Sequence, residues 1–330
     1  MIKVQGGIGV KSYIGKRIAT GILTIIFSFC ITFFLIRYAP GNPMKVLAGT
    51  DNPNLELIEH LTIKYGLDKP IPVQFVNYVK NILKGDLGHS YMSNEPVTKL
   101  IKEKVFPTIL LTLTSSILAV VVGTFLGVYA ARKVGTIFDR VMCGISYFID
   151  ATPGFWLGLI FILIFASTFK ILPTSGMYDL RIEKQGFAHV LDVIKHMILP
   201  VSTLTIIQIP LYFRISRSSV LQTMSEDFIM TLRATGMKES QIFNKYVLRN
   251  AIIPTITMFS LSLAFTISGV ALIEIVFAWP GMGRLIMDAI MKRDYPLLTG
   301  IYLTISISIC IVMIITDIVY AIVDPRIRLE

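Results

Sequence analysis

Residues able to do chemistry are sparse in this chain, and several stand where charge or polarity is out of place. Asp150, Gln208 and Glu274 lie within or beside long apolar runs. A carboxylate or amide in hydrocarbon is costly and ordinarily faces protein or a water-filled path, so these three are candidates for a pathway or gate. Asp150 precedes Pro153-Gly154, where it could instead cap a restarting helix. Glu274 stands ahead of the turn "AWPGMGR", where a structural contact to Arg284 competes with a substrate contact. No catalytic set accompanies them. His60, His89, His189 and His196 are scattered over outer loops and read as solvated. Cys30, Cys143 and Cys310 all fall in apolar stretches, with no metal spacing and no disulfide pattern. "GGIGVKS" and "YIGKR" both miss the G-x-x-x-x-G-K-[ST] of a phosphate-binding loop. The chain reads as a non-enzyme that holds no metal or cofactor of its own.

A second group of charges forms a pattern. In "SEDFIMTLRATGMKESQIF", residues 225–243, Glu226 and Asp227 occupy a first helical turn and Arg233 a last one, as the helix dipole prefers. Phe228, Ile229 and Leu232 form an apolar stripe, and Gly236 supplies a left-handed stop. A second helix restarts near Lys238–Glu239. Its Ile242, Phe243, Tyr246 and Val247 share one side, and Lys245 and Arg249 share another. From the residues alone, a partner-docking knob and an amphipathic helix lying in the headgroups are equally good readings.

The elements around these residues are spans. The chain has 330 residues, mean hydropathy +0.69, 54% hydrophobic residues and only 16% charged, which excludes an ordinary soluble domain. Six runs approach or exceed the roughly 20 apolar residues that cross a bilayer: Ile18–Ile36, Ile109–Ala131, Val141–Phe169, Met197–Phe213, Ile252–Ala278 and Thr299–Val323. The third is broken at Pro153-Gly154, and the fourth is short and interrupted by Pro200, Gln208 and Pro210. Residues 1–17 and 324–330 are then cytoplasmic segments, and 18–36 is a first, uncleaved span. Residues 37–108 form an extracytoplasmic subdomain with helices in "NPNLELIEHLTIKYGL" and "IPVQFVNYVKNILKG" and a lead-in helix in "PVTKLIKEKVFP". Residues 109–323 form a five-helix core that includes the hairpin at 214–251.

The net charge of +10 is distributed by side. With both termini inside, the short inner loops and tails hold fifteen Lys/Arg, among them Arg214, Arg217, Arg233, Lys245 and Arg249, against seven in the two short outer loops. That bias sets an N-in, C-in topology and argues against nucleic acid as a partner; membrane lipid is the surrounding medium.

The stretch "MTLRATGMKESQIFNKYVLRNAIIP" resembles the cytoplasmic loop of permeases in bacterial binding-protein-dependent ABC importers. The likeness is narrower still to the first permease subunit of the oligopeptide/dipeptide/nickel branch. It runs through "IRYAPGNP", "YGLDKPIPVQFVNYVKNILKGDLGHSY", "PTILLTL", "PGFWLGLIFIL", "ILPTSG", "HMILP", "EIVFAWPGMGRL", "RDYPLLTG" and "DPRIR", in that order. Met230, Thr231 and Leu232 stand where the general pattern has Glu-Ala-Ala, and Gly236 precedes Pro254 by eighteen residues. Both features are similar to the peptide/nickel branch. Asp150 differs from the small or apolar residue usual there.

The resemblance implies an all-α integral membrane protein with the type I ABC importer permease fold, in the bacterial inner membrane. It implies ATP-driven import of di- or oligopeptides by alternating access, with nickel or a metal–chelator complex as the alternative cargo. An ion-coupled secondary transporter is the competing class, and the sequence lacks the paired inverted halves that would favour it. Implied partners are a second homologous permease, two ATPase subunits that bind ATP and Mg, and an extracytoplasmic binding protein. Carried over residue by residue, Glu226, Asp227, Leu232, Ala234, Gly236 and Met237 couple to the ATPase. Trp279, Pro280, Gly281 and Arg284 lie where the binding protein would dock.

Overall fold

The computed structural model describes residues 8–48, 55–182, 184–264 and 270–323. The expected tail 324–330 and the first residues of the N-terminal segment lie outside them. The described residues form helices α1 (Ile8–Tyr38), α2 (Pro43–Ala48), α3 (Leu55–Lys64), α4 (Ile71–Leu83), α5 (Val97–Arg132), α6 (Ile137–Asp150) and α7 (Gly154–Phe161). Then follow α8 (Phe187–Met224), α9 (Asp227–Ala234), α10 (Glu239–Gln241), α11 (Leu248–Ala251), α12 (Ile253–Ala264), α13 (Ala271–Val276), α14 (Met282–Met291) and α15 (Tyr295–Val323). Wider π-helical turns extend α7 over Ile162–Thr168 and join α10 to α11 over Ile242–Val247.

Among the described residues, five helical stretches are long and apolar enough to cross a membrane: Arg17–Tyr38, Val97–Arg132, Phe187–Met224, Glu239–Leu263 and Tyr295–Thr316. The broken third run, Ile137–Asp150 with Gly154–Thr168, is bent by 98° at the break and makes a sixth when the pair is taken as one span. Pro153 causes the bend: it has no N–H to donate and cannot continue α6, and its carbonyl receives the Trp156 and Leu157 N–H groups at 3.1 and 3.2 Å.

Elsewhere proline does not interrupt. The lead-in helix and second span merge through Pro107 into α5, and the fourth run, expected to be short, lies within the 38 residues of α8 despite Pro200 and Pro210. Side-chain hydroxyls bond back to nearby carbonyls in α8, Thr203 to Leu199 at 2.8 Å and Ser216 to Tyr212 at 2.7 Å. Both are back-bonds to the residue four earlier, at carbonyls other than the His196 and Ile206 carbonyls that the prolines leave without an N–H. The fifth run differs more. Its helical stretch begins earlier, at Glu239, and helix is described over Ile253–Ala264 and Ala271–Val276, with residues 265–269 outside the described residues.

The chain divides into two compact units. The first comprises Met1–Thr108, Ile267–Ala271 and Pro280–Glu330. In it α1 lies along α15, with Ser28 Oγ 2.9 Å from Ser306 Oγ. Aromatic rings from α1 and α4 stack together, Phe34 on Phe75 at 5.4 Å and Phe29 on Tyr78 at 5.9 Å. The buried Asp294 carboxylate accepts from Ser90 Oγ at 2.5 Å and from the Tyr91 and Leu297 N–H groups at 3.1 and 3.3 Å, fixing the start of α15.

The second unit comprises Ile109–Thr266 and Leu272–Trp279. Its spans approach through glycine. A Cβ on Gly123 would lie 2.9 Å from the Ile209 carbonyl oxygen, and one on Gly127 only 2.4 Å from that of Phe213. Gly123 and Gly127 form a G-x-x-x-G pair on α5 that lets the α8 backbone come close, the packing helices use where no hydrophobic force separates lipid from protein. Large apolar side chains such as Phe125 and Phe148 remain exposed, as lipid-facing surfaces require.

Candidate functional site

The hairpin is built from a sharp stop and a small apolar core. Glu226 takes extended backbone angles ahead of α9 without a side-chain cap, and Asp227 begins the first turn. Gly236 takes φ +76°, and the Gly236 and Met237 N–H groups close on the carbonyls of Arg233 and Leu232 at 3.0 and 3.4 Å. That is the left-handed ending only glycine adopts without strain. Across the turn, Arg233 Nε and Nη2 donate to the two Glu239 carboxylate oxygens at 2.7 and 3.3 Å. This paired fork holds the two arms in register, and the Glu239 carboxylate raises the Arg233 pKa further.

Inside the hairpin, Ile229, Ile242, Phe243 and Val247 pack with Ala131, Val220 and Ala251. Ile229, Ile242 and Val247 are each 1% exposed, and such burial contributes roughly 1.5–3 kcal/mol per side chain. Arg132 lies over the Phe243 ring at 4.6 Å. Leu232 and Met237 also turn toward this core and are partly buried. Glu226, Asp227 and Ala234 are exposed. The expected single stripe is therefore split: Ile229 and Leu232 face inward, while Phe228 (40% exposed) faces out, and so does Met230 (67%). The reason is the tight Gly236 turn, which covers the α9 face carrying Ile229 and Leu232 and leaves the Phe228 side open.

The side chains of Asp150 and Gln208 are held by partners on other helices. Asp150 does not cap α7, whose N-cap position is Pro153 without a side-chain bond. It accepts instead from Arg214 Nη1 at 2.9 Å, and both side chains remain substantially exposed. Gln208 Oε1 accepts from Ser116 Oγ at 3.0 Å, and its Nε2 donates to the Leu204 carbonyl at 3.2 Å. Glu274 is fully buried, and its carbonyl receives the Trp279 N–H at 2.7 Å. Trp279 is fully buried and Gly281 is buried, so within the chain neither presents a surface to a docked protein. Pro280 is half-buried and Arg284 exposed. The structure does not gather Asp150, Gln208 and Glu274 into one polar cluster.

Two carboxylates are invisible to motif reading. Asp139, 4% exposed, accepts from Arg217 Nε and Nη2 at 2.7 and 2.9 Å and from the Gly135 N–H at 3.0 Å. The one local signal is Thr136-x-x-Asp139, a helix-start pattern in which Thr136 accepts from the Asp139 N–H. Asp192 accepts from Lys184 Nζ at 2.6 Å and from the Asp179 N–H at 2.7 Å. One turn on, the His196 ring is shielded, with Nδ1 2.8 Å from the Asp192 carbonyl, so it is no solvated loop residue. Its place on α8, rather than in a loop, explains the difference.

Long apolar helices, a bent broken span and a charged hairpin seated on an apolar core define a multi-pass helical transport component. The comparisons agree. Residues 123–329 match the family described as "Binding-protein-dependent transport system inner membrane component", and residues 10–114 match its N-terminal companion. The chain belongs to this family, and it is a multi-pass permease of the bacterial inner membrane in which ATP hydrolysis falls to separate ATPase subunits. It is 35% identical to a probable peptide ABC transporter permease, y4tP, of Sinorhizobium fredii, over 96% of this chain and 99% of that one. It is 34% identical to the di/tripeptide permease DppB of Pseudomonas aeruginosa, over 96% and 98%, and 34% identical to the glutathione permease GsiC of Salmonella choleraesuis, over 96% and 99%. The fold is shared with a chain of the MetNI methionine ABC transporter in an inward-facing form, at TM-score 0.54 and 18% identity over 69% of this chain and 98% of that one.

Proposed function

We propose that this chain forms half of the transmembrane pathway of an ATP-driven importer of di- and oligopeptides. A second homologous permease forms the other half, two ATPase subunits bind ATP and Mg at the cytoplasmic face, and an extracytoplasmic protein delivers the cargo. Support for the cargo comes from relatives whose names specify peptides, di/tripeptides and glutathione. The coupling role rests on one observation above all. Phe228 and Met230 point outward from a hairpin whose other face is fixed by Ile229, Ile242 and Val247.

ATP-driven closure of two ATPases becomes helix movement only through a connection stiff enough not to absorb it. Residues Glu226, Asp227 and Ala234 form the exposed part of that connection. Leu232, Gly236 and Met237 shape it from within, and the Arg233–Glu239 fork braces it. The ATPase shifts the balance of inward- and outward-facing states only by binding them differently.

The test is uptake by proteoliposomes holding the complete importer. ATP-dependent accumulation of a labelled dipeptide with its binding protein is expected. Accumulation by this chain alone under an ion gradient would sink the reading, and selective uptake of nickel or a chelate would replace the cargo.

A further inference from the structure

Arg37, at the end of the first span, carries a guanidinium that the described residues only partly satisfy. It lies on the Phe33 ring with Cζ 3.5 Å from the centroid, and Nε donates to Gln74 Oε1 at 3.1 Å. Gln74 is itself pinned, its Nε2 donating to the Lys69 carbonyl at 2.8 Å, so its oxygen is committed to Nε. Nη1 is shielded from solvent and has no hydrogen-bond partner among the described residues. A buried charged donor without an acceptor is costly, and native structures rarely keep one without a use.

Arg37 lines a cavity of about 410 Å³ in the first unit, within the size range of small-ligand sites. Lys64 and Lys69, both exposed, add two further positive charges to its wall, and Asn77 and Asn81 add amide donors. No Asp or Glu is among the described lining residues; Asp294, just behind Tyr91, is occupied by Ser90 and the Tyr91 N–H, so the side chains facing the cavity are basic or neutral. Tyr65 supplies an apolar ring beside these polar groups. Gln74 occupies Nε and Nη1 is shielded, so Nη2 is the guanidinium nitrogen left to the cavity. A carboxylate bonded there gains the planar two-bond pairing once a small side-chain shift brings Nη1 to it, a pairing a lysine in its place could not offer.

We propose that this pocket is a carboxylate-binding site on the segment after the first span, taking the free carboxylate of a short peptide. The carboxylate follows from the pocket itself; the peptide as its carrier rests on the importer reading above. Arg37 is the binding group, Gln74 is a positioning residue acting through it, and Lys64 and Lys69 attract the anion.

The test uses the full chain in phosphatidylcholine nanodiscs, titrated calorimetrically with acetate, dialanine, dialanine amide and inorganic phosphate, without binding protein or ATPase. Acetate and dialanine are expected to bind saturably and in competition, with the amide at least about tenfold weaker. Arg37→Lys should cost about tenfold. The pair Lys64→Gln and Lys69→Gln, both at exposed positions, should leave folding intact, cost several-fold in binding and flatten the salt dependence. Absence of saturable binding, equal binding of the amide, acetate binding without dialanine, or phosphate binding in place of carboxylate would each overturn the proposal. So would dialanine binding lost on replacing half the lipid with phosphatidylglycerol, since the pocket would then be a headgroup site. Peptide uptake by the complete importer is scored separately. Uptake without binding here removes the pocket alone, and binding without uptake removes the importer reading alone.

Discussion

Arg217 on α8 closes on the buried Asp139 of α6 through two parallel hydrogen bonds, Nε to Oδ1 at 2.7 Å and Nη2 to Oδ2 at 2.9 Å. The pair fastens the helix before the 98° bend to the longest helix of the second unit. Removing one partner leaves the other charged and shielded. Arg217→Ala should therefore destabilise the protein by roughly 2–3 kcal/mol, kept at the low end because Arg217 retains partial access to water. The double variant with Asp139→Ala should recover a large part of that loss. Thermal unfolding of the four proteins in one detergent reads the coupling, and additive losses would show that the pair does not hold these helices together.

Gly236 offers a cleaner test because nothing lies within 4 Å of where a Cβ would sit. Any penalty there comes from backbone angles alone, with φ at +76°. Gly236→Val should cost about 1–2 kcal/mol and misdirect α10, lowering uptake and ATPase co-purification together. Gly236→Asn, which tolerates the left-handed region, should retain most of both. Equal loss in the two variants would mean that the side chain, not the angle, is what matters.

Packing and docking can be separated on the two sides of α9. Leu232 is turned toward the hairpin core and Met230 is 67% exposed. Leu232→Asp buries a charge and should lower thermal stability measurably, by a few kcal/mol. Met230→Asp and Phe228→Asp should leave stability within about 0.5 kcal/mol while abolishing ATPase co-purification. Retention of the ATPase by both surface variants would exclude this face as the contact.

The spans are legible in the sequence because hydrocarbon imposes length and composition on them, and the bend at Pro153-Gly154 is legible because proline cannot continue a helix. Gly236 is readable for the same local reason. What stays hidden depends on partners distant in sequence. Asp139 looks like one more acidic residue in an inner loop until α8 places Arg217 beside it, 78 positions away. Arg217 by itself counts only toward topology, and the G-x-x-x-G pair of Gly123 and Gly127 marks a close-packing face without saying that α8 is what meets it. Prolines mislead in the opposite direction: Pro107, Pro200 and Pro210 argue for breaks by local rules, and the long helices carry them without one. The split stripe of Phe228, Ile229 and Leu232 needs the hairpin's second arm to be seen.

That glycine pair predicts its own outcome. A Cβ at Gly127 would meet Ser216 Oγ at 2.1 Å and the Phe213 carbonyl at 2.4 Å, contacts that force α5 away from α8. Gly127→Ala should cost about 1–3 kcal/mol by overpacking, and Gly127→Leu more. Gly144, where an added Cβ would meet nothing within 4 Å, should accept alanine at no loss, which makes it the internal control for thermal unfolding.

Asp150 is where pathway and structure can be told apart. Its bond to Arg214 joins two side chains that are 51% and 35% exposed, and such a pair contributes at most about 1 kcal/mol to stability. Asp150→Asn should therefore fold and insert normally. If the carboxylate meets a cationic group of the cargo, it must trade Arg214 for that group during transport. The variant should then lose several-fold in uptake of a lysine-containing dipeptide and almost nothing for a neutral one of equal length. Arg214→Gln frees the same carboxylate and should preserve or raise uptake of the cationic peptide. Should Asp150→Asn and Arg214→Gln instead reduce both peptides equally, the pair serves only to brace the end of α6 against α8, and the pathway role passes to other residues.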